Sequence, residues 1–347
     1  MILLPLHTTL LQPGDDLAEV LWNSAMLSSR LPVRSSEGAK AGVENRGAIF
    51  VPRDIIVLSS KALATVEGAF IDLDKAATEP DEFFEAPSHR RRENFLKRNM
   101  EGRAEEAVGA KKILPSSMRG KEILKLSERI HRSPAFCAAM LRELERLNGT
   151  IIGTVPGAAL TEVRPEGMQG SILVANAGLD ESNAPEGMAV GWPRDPVASV
   201  GRLRKELEER IGAPRGPRAP TAPRKSMKES SVPLVPSVPS VPSLGIILSD
   251  SICTPRRSGV TAIALVASGL NPLQSQKGKE DLFGKPLKIT TEAIADQLAT
   301  ATNFVMGNAA QSVPAVLIRD HGLMLSEWEG WVPGIEPERD LFKGVVS

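Results

Sequence analysis

The sequence contains no tyrosine, and aromatic residues make up only 4% of its 347 positions. Surfaces that stack nucleic-acid bases on aromatic rings are therefore not expected. Lysine plus arginine equals aspartate plus glutamate, 42 against 42, so the chain has no positive excess to displace counterions from nucleic acid. Both observations predict no nucleic-acid partner.

Cysteine is also scarce. Cys137 and Cys253 lie far apart and without metal-type spacing, which excludes a disulfide framework and favours a reducing compartment. Cys253 lies in a polar stretch after an apolar run, which is compatible with a nucleophile, although an ordinary small side chain is the favoured interpretation. The first residues lack the pattern of a signal peptide, and no run approaches the roughly 20 apolar residues of a membrane span. We expect a cytoplasmic protein with no membrane partner.

Several common catalytic motifs are missing. The sequence has no GxxxxGK[ST] phosphate loop, no GxGxxG after a strand and no GxSxG elbow. The four histidines are scattered singly, which argues against a zinc site built on them. Apolar residues nevertheless reach 41% and charged residues 24%, the balance of a globular protein with a substantial core.

Composition divides the chain into six segments. Residues 1–78, 133–212 and 244–330 carry regular apolar patterns and are predicted to be three parts of one folded domain. Residues 79–132 are dense in charge and indicate an exposed insertion with some helix. Its basic run at 89–92 suggests nucleic-acid binding, but interleaved glutamates favour a solvated surface. Residues 213–243 are rich in proline and are predicted to be a linker, because such segments are typically extended and solvated. Residues 331–347 are predicted to be a tail.

Periodicity predicts helices beginning near Asp15 and spanning 135–147, 196–211 and 290–306, the last capped by Thr290 or Thr291. Ser133 followed by Pro134 is typical of a helix start. Strands are predicted at 55–58, 150–154, 171–175, 245–249, 260–266 and 315–319, followed by a variable tail. This mixture lacks strict strand–helix alternation and predicts an α+β fold.

Two acidic stretches follow buried strands. SILVANAGLDESN delivers Asp180, and LGIILSDS delivers Asp250, each where the chain is expected to leave the core. Two carboxylates with hydroxyl and amide oxygens suit a hard divalent cation such as Mg²⁺ or Mn²⁺. The alternative is that both aspartates simply cap turns, which composition alone slightly favours.

Seven stretches in order resemble the coenzyme F420-0:L-glutamate ligase family. They are PLHTTLLQPGDDLAEVL (5–21), IIVLSSKALATVEG (55–68), VANAGLDESN (174–183), GWPRDPVASVGRLRKEL (191–207), ILSDSICTPRRSGVTAIALVASGLNPL (247–273), KGKEDLFGKPL (277–287) and TTEAIADQLATATNFVMGNAAQSVPAVLIR (290–319). The resemblance implies a two-lobed α+β fold with mixed sheets and packed helices, assembled as an intertwined homodimer. It also implies a ligase that uses GTP to activate a carboxylate of F420-0 as an acyl phosphate, which L-glutamate then attacks.

The resemblance also implies roles for particular residues. The implied cofactors are two Mg²⁺ or Mn²⁺ ions, with K⁺ as a further cation. The implied catalytic residues are Asp180, Asp250 and Arg256. The implied metal ligands are Asp180, Asp250, Ser251 and Asn308. The implied nucleotide site comprises Pro5, Leu6, His7, Thr8, Ser59, Ser60, Lys61, Asn183, Met306, Gly307, Asn308 and Val313.

This sequence departs from the family pattern at several of these places. Thr65 stands where the family commonly has lysine, so one phosphate-neutralising charge is lost unless Lys61 replaces it. DSICTPRR replaces the usual DTFGRPWR, and Asn308 is neutral where an acid would bind metal more strongly. Arg256 and Arg257 suit phosphate or carboxylate clamps, with plain surface charges as the alternative. Three other functions therefore stay open: a folate-type γ-glutamyl ligase, a weakened nucleotide-binding relative and a metal-dependent phosphohydrolase.

Overall fold

The computed structural model describes residues 1–28, 50–78, 118–212 and 242–342. Its centre is a six-stranded mixed sheet with the order β1-β12-β2-β8-β9-β13. Strand β2 runs parallel to β8, and the other neighbours are antiparallel. The six strands are β1 (Ile2–Leu6), β2 (Ile55–Ser59), β8 (Gly245–Ile252), β9 (Thr261–Leu270), β12 (Ala315–Arg319) and β13 (Leu325–Trp331).

Both faces of this sheet are covered, which explains why its central strands contain consecutive apolar residues, such as 55–58 in β2 and 246–248 in β8. In β2, Ile56 and Leu58 point into one core and Ile55 and Val57 into the other. The first core also takes in most of the helices. The second lies under the single long helix Ile294–Met306, which buries Leu298. Alternation along each strand therefore divides the same run between two cores.

The described ranges contain seven α-helices. They are α1 (Leu17–Ser28), α2 (Ser60–Val66), α3 (Leu73–Thr78), α4 (Met118–Ile130), α5 (Pro134–Arg146), α6 (Pro196–Gly212) and α7 (Ile294–Met306). The start of α5 follows from its sequence, because Pro134 occupies the first turn and the Ser133 hydroxyl accepts a hydrogen bond from the backbone N–H of Phe136. None of these helices is long and apolar enough to cross a bilayer.

Three smaller sheets complete the described structure. A three-stranded antiparallel sheet leads toward the acidic stretch at 176–183. The remaining strands are β3 (Phe70–Asp72), β4 (Thr150–Val155), β5 (Ala158–Val163), β6 (Ile172–Ala175), β7 (Met188–Val190), β10 (Gln274–Ser275) and β11 (Thr291–Glu292). The other two sheets are short antiparallel pairs, one of β3 with β7 and one of β10 with β11.

The structure confirms the α+β class and most predicted elements, with β12 recovered at its predicted bounds. The helix predicted over 290–306 begins later, at Ile294, and neither threonine caps it. Thr291 instead pairs with Ser275 in the β10–β11 ladder, so tertiary pairing overrides the local capping signal.

The chain after β12 also departs from prediction. The strand at 315–319 was predicted to be the last, but the structure adds β13, an edge strand of the main sheet with alternating burial along LSEWEGW. The described end of the predicted charged insertion is α4, which buries Ile123, Leu126 and Ile130 in the first core. The rest of that insertion (79–117) and most of the proline-rich linker (213–241) lie outside the described residues.

Candidate active site

One edge of the main sheet gathers most of the residues singled out in the sequence. Leu6, Ala315, Leu58 and Leu248 are aligned across four neighbouring strands. The chain beyond this row is held together by two backbone hydrogen bonds, from Thr8 N to Ser312 O (3.1 Å) and from Ser59 N to Pro314 O (2.9 Å). The ends of β1 and β2, the start of β12 and the second half of β8 therefore form one rim.

Asp180 reaches this rim through an unusual turn. Asn176, Ala177 and Gly178 follow β6 with φ of 52°, 55° and 74°, three successive left-handed residues. The turn is fixed because the Asn176 side chain accepts from Ala159 N–H (2.9 Å) and Ala177 N–H donates to a threonine hydroxyl of β5 (3.0 Å). Strain of this kind persists only where surrounding contacts enforce it.

Beyond the turn, the backbone of Asp180 pairs with Val190 in both directions, at 3.0 and 2.8 Å. The following residue, Glu181, forms an ion pair with Arg132 at the end of the α4–α5 connection. The acidic loop is therefore attached on both sides to ordered elements. The position of Asp180 is therefore fixed by neighbouring ordered elements.

Lys61 is the main partner of Asp180. Its Nζ lies 2.5 Å from Asp180 Oδ2 and 2.7 Å from the Ser182 hydroxyl. Partial burial by itself raises the pKa of Asp180, but the hydrogen bonds from Lys61 and from the Ser182 backbone and hydroxyl, with the charge of Lys61, outweigh burial. The pKa of Asp180 is consequently held below its ordinary value, so this carboxyl is ionised near neutral pH.

Asp250 has a different environment. Burial raises its pKa above the ordinary value, and this effect is only partly offset by hydrogen bonds from the Trp192 indole, the Ser251 backbone and the Ser60 hydroxyl, and by the charge of Lys61. The indole Nε1 lies 2.6 Å from Asp250 Oδ2, and Ser251 N lies 2.9 Å from Oδ1. Each oxygen of the carboxylate is therefore oriented by a donor.

These contacts place the two aspartates on the same side of the molecule. The ammonium of Lys61 bonds one carboxylate and acts electrostatically on the other. Trp192 provides a second link, because its Nε1 donates to Asp250 and also lies 2.6 Å from the position that a Cβ on Gly178, two residues before Asp180, would occupy. The predicted convergence of Asp180 and Asp250 is therefore what the fold produces. Asp250 itself lies within β8, not in a loop after it, because β9 continues the ladder as far as Ile252.

Ser251 and Asn308 meet beside this pair. The Ser251 hydroxyl donates to Asn308 Oδ1 at 3.0 Å, joining β8 to the segment that follows α7. Gly307 ends α7 with φ of 70°, a conformation for which glycine is the usual choice. All four predicted metal ligands thus belong to one connected set.

The remaining predicted residues are divided. His7 is exposed and Thr8 and Ser59 are partly exposed on the rim, whereas Leu6, Met306 and Val313 bury their side chains in the two cores. Any nucleotide contact from those three would be through the main chain. The rest of the predicted nucleotide set are Pro5, in β1, and Asn183, exposed in the acidic loop with φ of 57°.

Arg256 lies apart from the aspartates. It occupies the exposed β8–β9 turn with φ of 58°, and the hydrogen bonds and ion pairs of the described residues do not connect it to Asp180 or Asp250. Its long side chain extends from a turn that begins directly after β8. A role as a clamp for phosphate or carboxylate stays a prediction.

The donor set fits a hard divalent cation. It offers two carboxylates, one amide oxygen and hydroxyls, and no cluster of three or more His, Cys, Asp or Glu occurs among the described residues. Mg²⁺ commonly uses one or two carboxylates and completes its shell with water and substrate phosphates. A site this sparse therefore suits an ion that arrives with, or is completed by, a nucleotide.

Two contributors were missed in the sequence. Trp192 lies in the GWPRDP stretch and Ser182 in the acidic loop, and neither residue type marks a site by itself. Trp192 lies two residues after the strand that pairs with Asp180, so its role could be recognised only once the fold was known.

A separate surface groove lies between α1, α2 and α6. Ion pairs of Glu67 with Arg202 and of Asp16 with Arg210 span this groove, and neither Asp180 nor Asp250 lines it.

Comparison with known proteins identifies the family of the chain. The family described as F420-0:Gamma-glutamyl ligase matches residues 5–215 and 220–320. A coenzyme F420:L-glutamate ligase of Methanopyrus kandleri is 28% identical over 96% of this chain and 86% of its own length. Proteins of the same name from Methanothermobacter thermautotrophicus and Methanocaldococcus jannaschii are 31% and 30% identical, covering 68% and 67% of this chain and 78% and 76% of theirs. The chain therefore belongs to the F420-0:gamma-glutamyl ligase family and is an enzyme of the ligase class.

Proposed function

We propose that the protein is a GTP- and divalent-metal-dependent ligase that joins L-glutamate to a carboxylate of coenzyme F420-0. The observation that carries the proposal is the convergence of Asp180 and Asp250 around Lys61 at the rim of the main sheet. Family membership supports a glutamate ligase of F420 biosynthesis. The nucleotide, the metal and the intermediate are proposed from the chemistry of the site.

The reaction has two steps. A carboxylate oxygen of F420-0 attacks the γ-phosphorus of GTP, forming an acyl phosphate and releasing GDP. The amine of L-glutamate then attacks the acyl carbon, the C–O bond to phosphate breaks, and the nitrogen loses a proton. Activation is needed because oxide is a poor leaving group and phosphate is a good one. Catalysis of such a transfer is largely positioning and charge neutralisation.

The residues of the rim suit those tasks. Asp180 and Asp250, with Ser251 and Asn308, would hold two Mg²⁺ or Mn²⁺ ions, which when bound neutralise charge on the phosphates. The backbone of the 5–8 and 306–313 segments, with Ser59 and Ser60, would border the nucleotide. A K⁺ ion is a further proposed cation of the nucleotide site.

Arg256 is proposed to bind a substrate carboxylate or phosphate from the β8–β9 turn. Its guanidinium presents a planar fork of donors that matches either group. The turn is exposed, so the arginine would engage only when substrate is bound.

The direct test is phosphate release by the purified full-length chain with GTP, Mn²⁺, L-glutamate and F420-0, each omitted in turn. The proposal predicts release only when all four are present, with one glutamyl unit added per phosphate. Release that is independent of glutamate would contradict the ligase and indicate a phosphohydrolase using the same acids. Turnover with a folate in place of F420-0 would identify a different acceptor. A protein without turnover that GTP still stabilises thermally would be a nucleotide-binding module.

We further propose that the protein is a homodimer. The support is an ordered arm, residues 273–292, closed by the β10–β11 pair, on which Leu282, Phe283 and Ile289 are almost wholly exposed. Exposed apolar side chains grouped on one element are typical of a protein interface. Light scattering should give twice the chain mass, and Leu282→Ser with Phe283→Ser should give the monomer. Leu341→Ser, an exposed leucine outside the arm, is the control. A dimer that survives the arm substitutions would contradict this interface.

A further inference from the structure

Lys61 occupies an unexpected position for a residue of the nucleotide site. Its ammonium does not point to open solvent but lies 2.5 Å from Asp180 Oδ2 and 2.7 Å from the Ser182 hydroxyl. Its charge also acts on Asp250. The ammonium thus bonds an Asp180 oxygen that a bound cation would also use, and its charge reaches Asp250.

We propose that Lys61 is a built-in counter-ion that competes with the divalent cation for Asp180 and is drawn away by nucleotide phosphate. The inference rests on the proposed function, because it takes Asp180 and Asp250 as cation ligands. It adds that binding of cation and nucleotide is coupled through one lysine of this chain.

Simple electrostatics supports competition. An ammonium and a divalent ion cannot both lie within bonding distance of one carboxylate oxygen without strong mutual repulsion in a partly buried site. The side chain of Lys61 is 28% exposed and that of Asp180 is 44% exposed, so solvent and ligands reach the pair. The lysine must therefore move when the cation binds.

Lysine is suited to such a movement. It is a point charge on a flexible four-carbon stem and does not depend on a fixed bidentate geometry. Lys61 follows Ser60, whose hydroxyl bonds Asp250, at the start of α2, and Ser59 is on the same rim. A phosphate held at that rim would lie within the reach of the released ammonium and would offset its lost ion pair.

The role predicts an effect of unusual sign. If Lys61 merely supported the site, its removal would weaken cation binding. If it competes, Lys61→Gln should bind Mn²⁺ more tightly than wild type in the absence of nucleotide, by on the order of tenfold. The gain in Mn²⁺ affinity caused by GDP should be smaller in the variant than in wild type, and by linkage the gain in GDP affinity caused by Mn²⁺ should shrink by the same factor.

The experiment measures free Mn²⁺ by electron paramagnetic resonance during titration of the full-length protein, with and without GDP. Lys61→Arg keeps the charge and should retain weak binding without nucleotide. Lys205→Gln removes the same charge from an exposed position on α6 and should match wild type. Equal or weaker Mn²⁺ binding by Lys61→Gln would overturn the proposal.

A second measurement uses the wild-type protein and so does not depend on a variant folding. Mn²⁺ should increase the labelling of Lys61 by an amine-reactive reagent, read by mass spectrometry, with Lys205 as the internal reference. Unchanged labelling at saturating Mn²⁺ would refute displacement.

The outcomes separate the inference from the proposed reaction. Tighter binding by Lys61→Gln without glutamate-dependent phosphate release would uphold the counter-ion and reject the ligase reaction. Absence of Mn²⁺ binding by every protein would reject both.

Discussion

Trp192→Phe tests how strongly the scaffold controls Asp250. The substitution removes the indole N–H that lies 2.6 Å from Asp250 Oδ2, and it keeps an aromatic ring beside Trp331, whose centroid is 6.0 Å away. A hydrogen bond to a charged group contributes about 1.5–3 kcal/mol. Loss of a donor that orients a metal ligand typically lowers metal affinity about 10–100-fold. We expect Mn²⁺ affinity and kcat/KM to fall within that range.

The pH profile gives a second signature. Burial raises the pKa of Asp250 and the Trp192 hydrogen bond opposes this, so Trp192→Phe should raise the pKa further. Because cation binding needs the ionised carboxylate, the acid limb of kcat/KM should move to higher pH. Mn²⁺ titration and a pH series of initial rates measure the two effects.

Trp328→Phe is the matched control for this substitution. The Trp328 Nε1 is buried and has no hydrogen-bond partner in the part of the chain that the structure describes, so its removal deletes an indole without deleting a donor to the site. It should leave Mn²⁺ affinity and the acid limb unchanged. If Trp192→Phe behaves like this control, the indole does not orient Asp250 and the description of the site is wrong.

Three further substitutions follow from the same geometry. Asp250→Asn should abolish activity, because the neutral amide cannot replace the carboxylate as a cation ligand. Because the folded-state pKa of Asp250 is raised, the stability of the wild type without cations should fall as pH rises from the ordinary value of 3.8 through the raised one, and this fall should be smaller in the variant; an equal pH dependence of the two unfolding midpoints would contradict it. Asn308→Asp should bind Mn²⁺ roughly tenfold more tightly, because a carboxylate replaces an amide beside Ser251; unchanged affinity would remove residue 308 from the site. Gly178→Ala should lower both stability and activity, since its Cβ would lie 2.6 Å from Trp192 Nε1 at a φ of 74°, and full activity would show that the indole can shift without cost.

Much of the fold was predictable because its signals are local. Ser133 with Pro134 started α5 as expected, and continuous apolar runs identified β2 and β12. The predicted element boundaries were wrong where strands distant in sequence pair with each other. The β10–β11 ladder displaced the start of α7, and β9 extended β8 through Asp250.

The two aspartates of the candidate site could be predicted from the sequence, but the side chains that contact them could not. Asp180 and Asp250 were identified by their positions after apolar strands and by family resemblance. Their environments could not be read from the sequence, since the indole of Trp192 reaches Asp250 across 58 positions and Lys61 reaches Asp180 across 119. Opposite pKa directions for two aspartates of one site are likewise a property of packing.

The most direct test of the account is whether Asp180 and Asp250 bind the same cation. Mn²⁺ affinity should be measured for wild type, Asp180→Asn, Asp250→Asn and the double variant in the presence of GDP. The account predicts that either single substitution removes most of the affinity and that the second adds little, because both carboxylates belong to one site. Losses that simply add, or a single variant that binds as wild type does, would show that the two aspartates act independently.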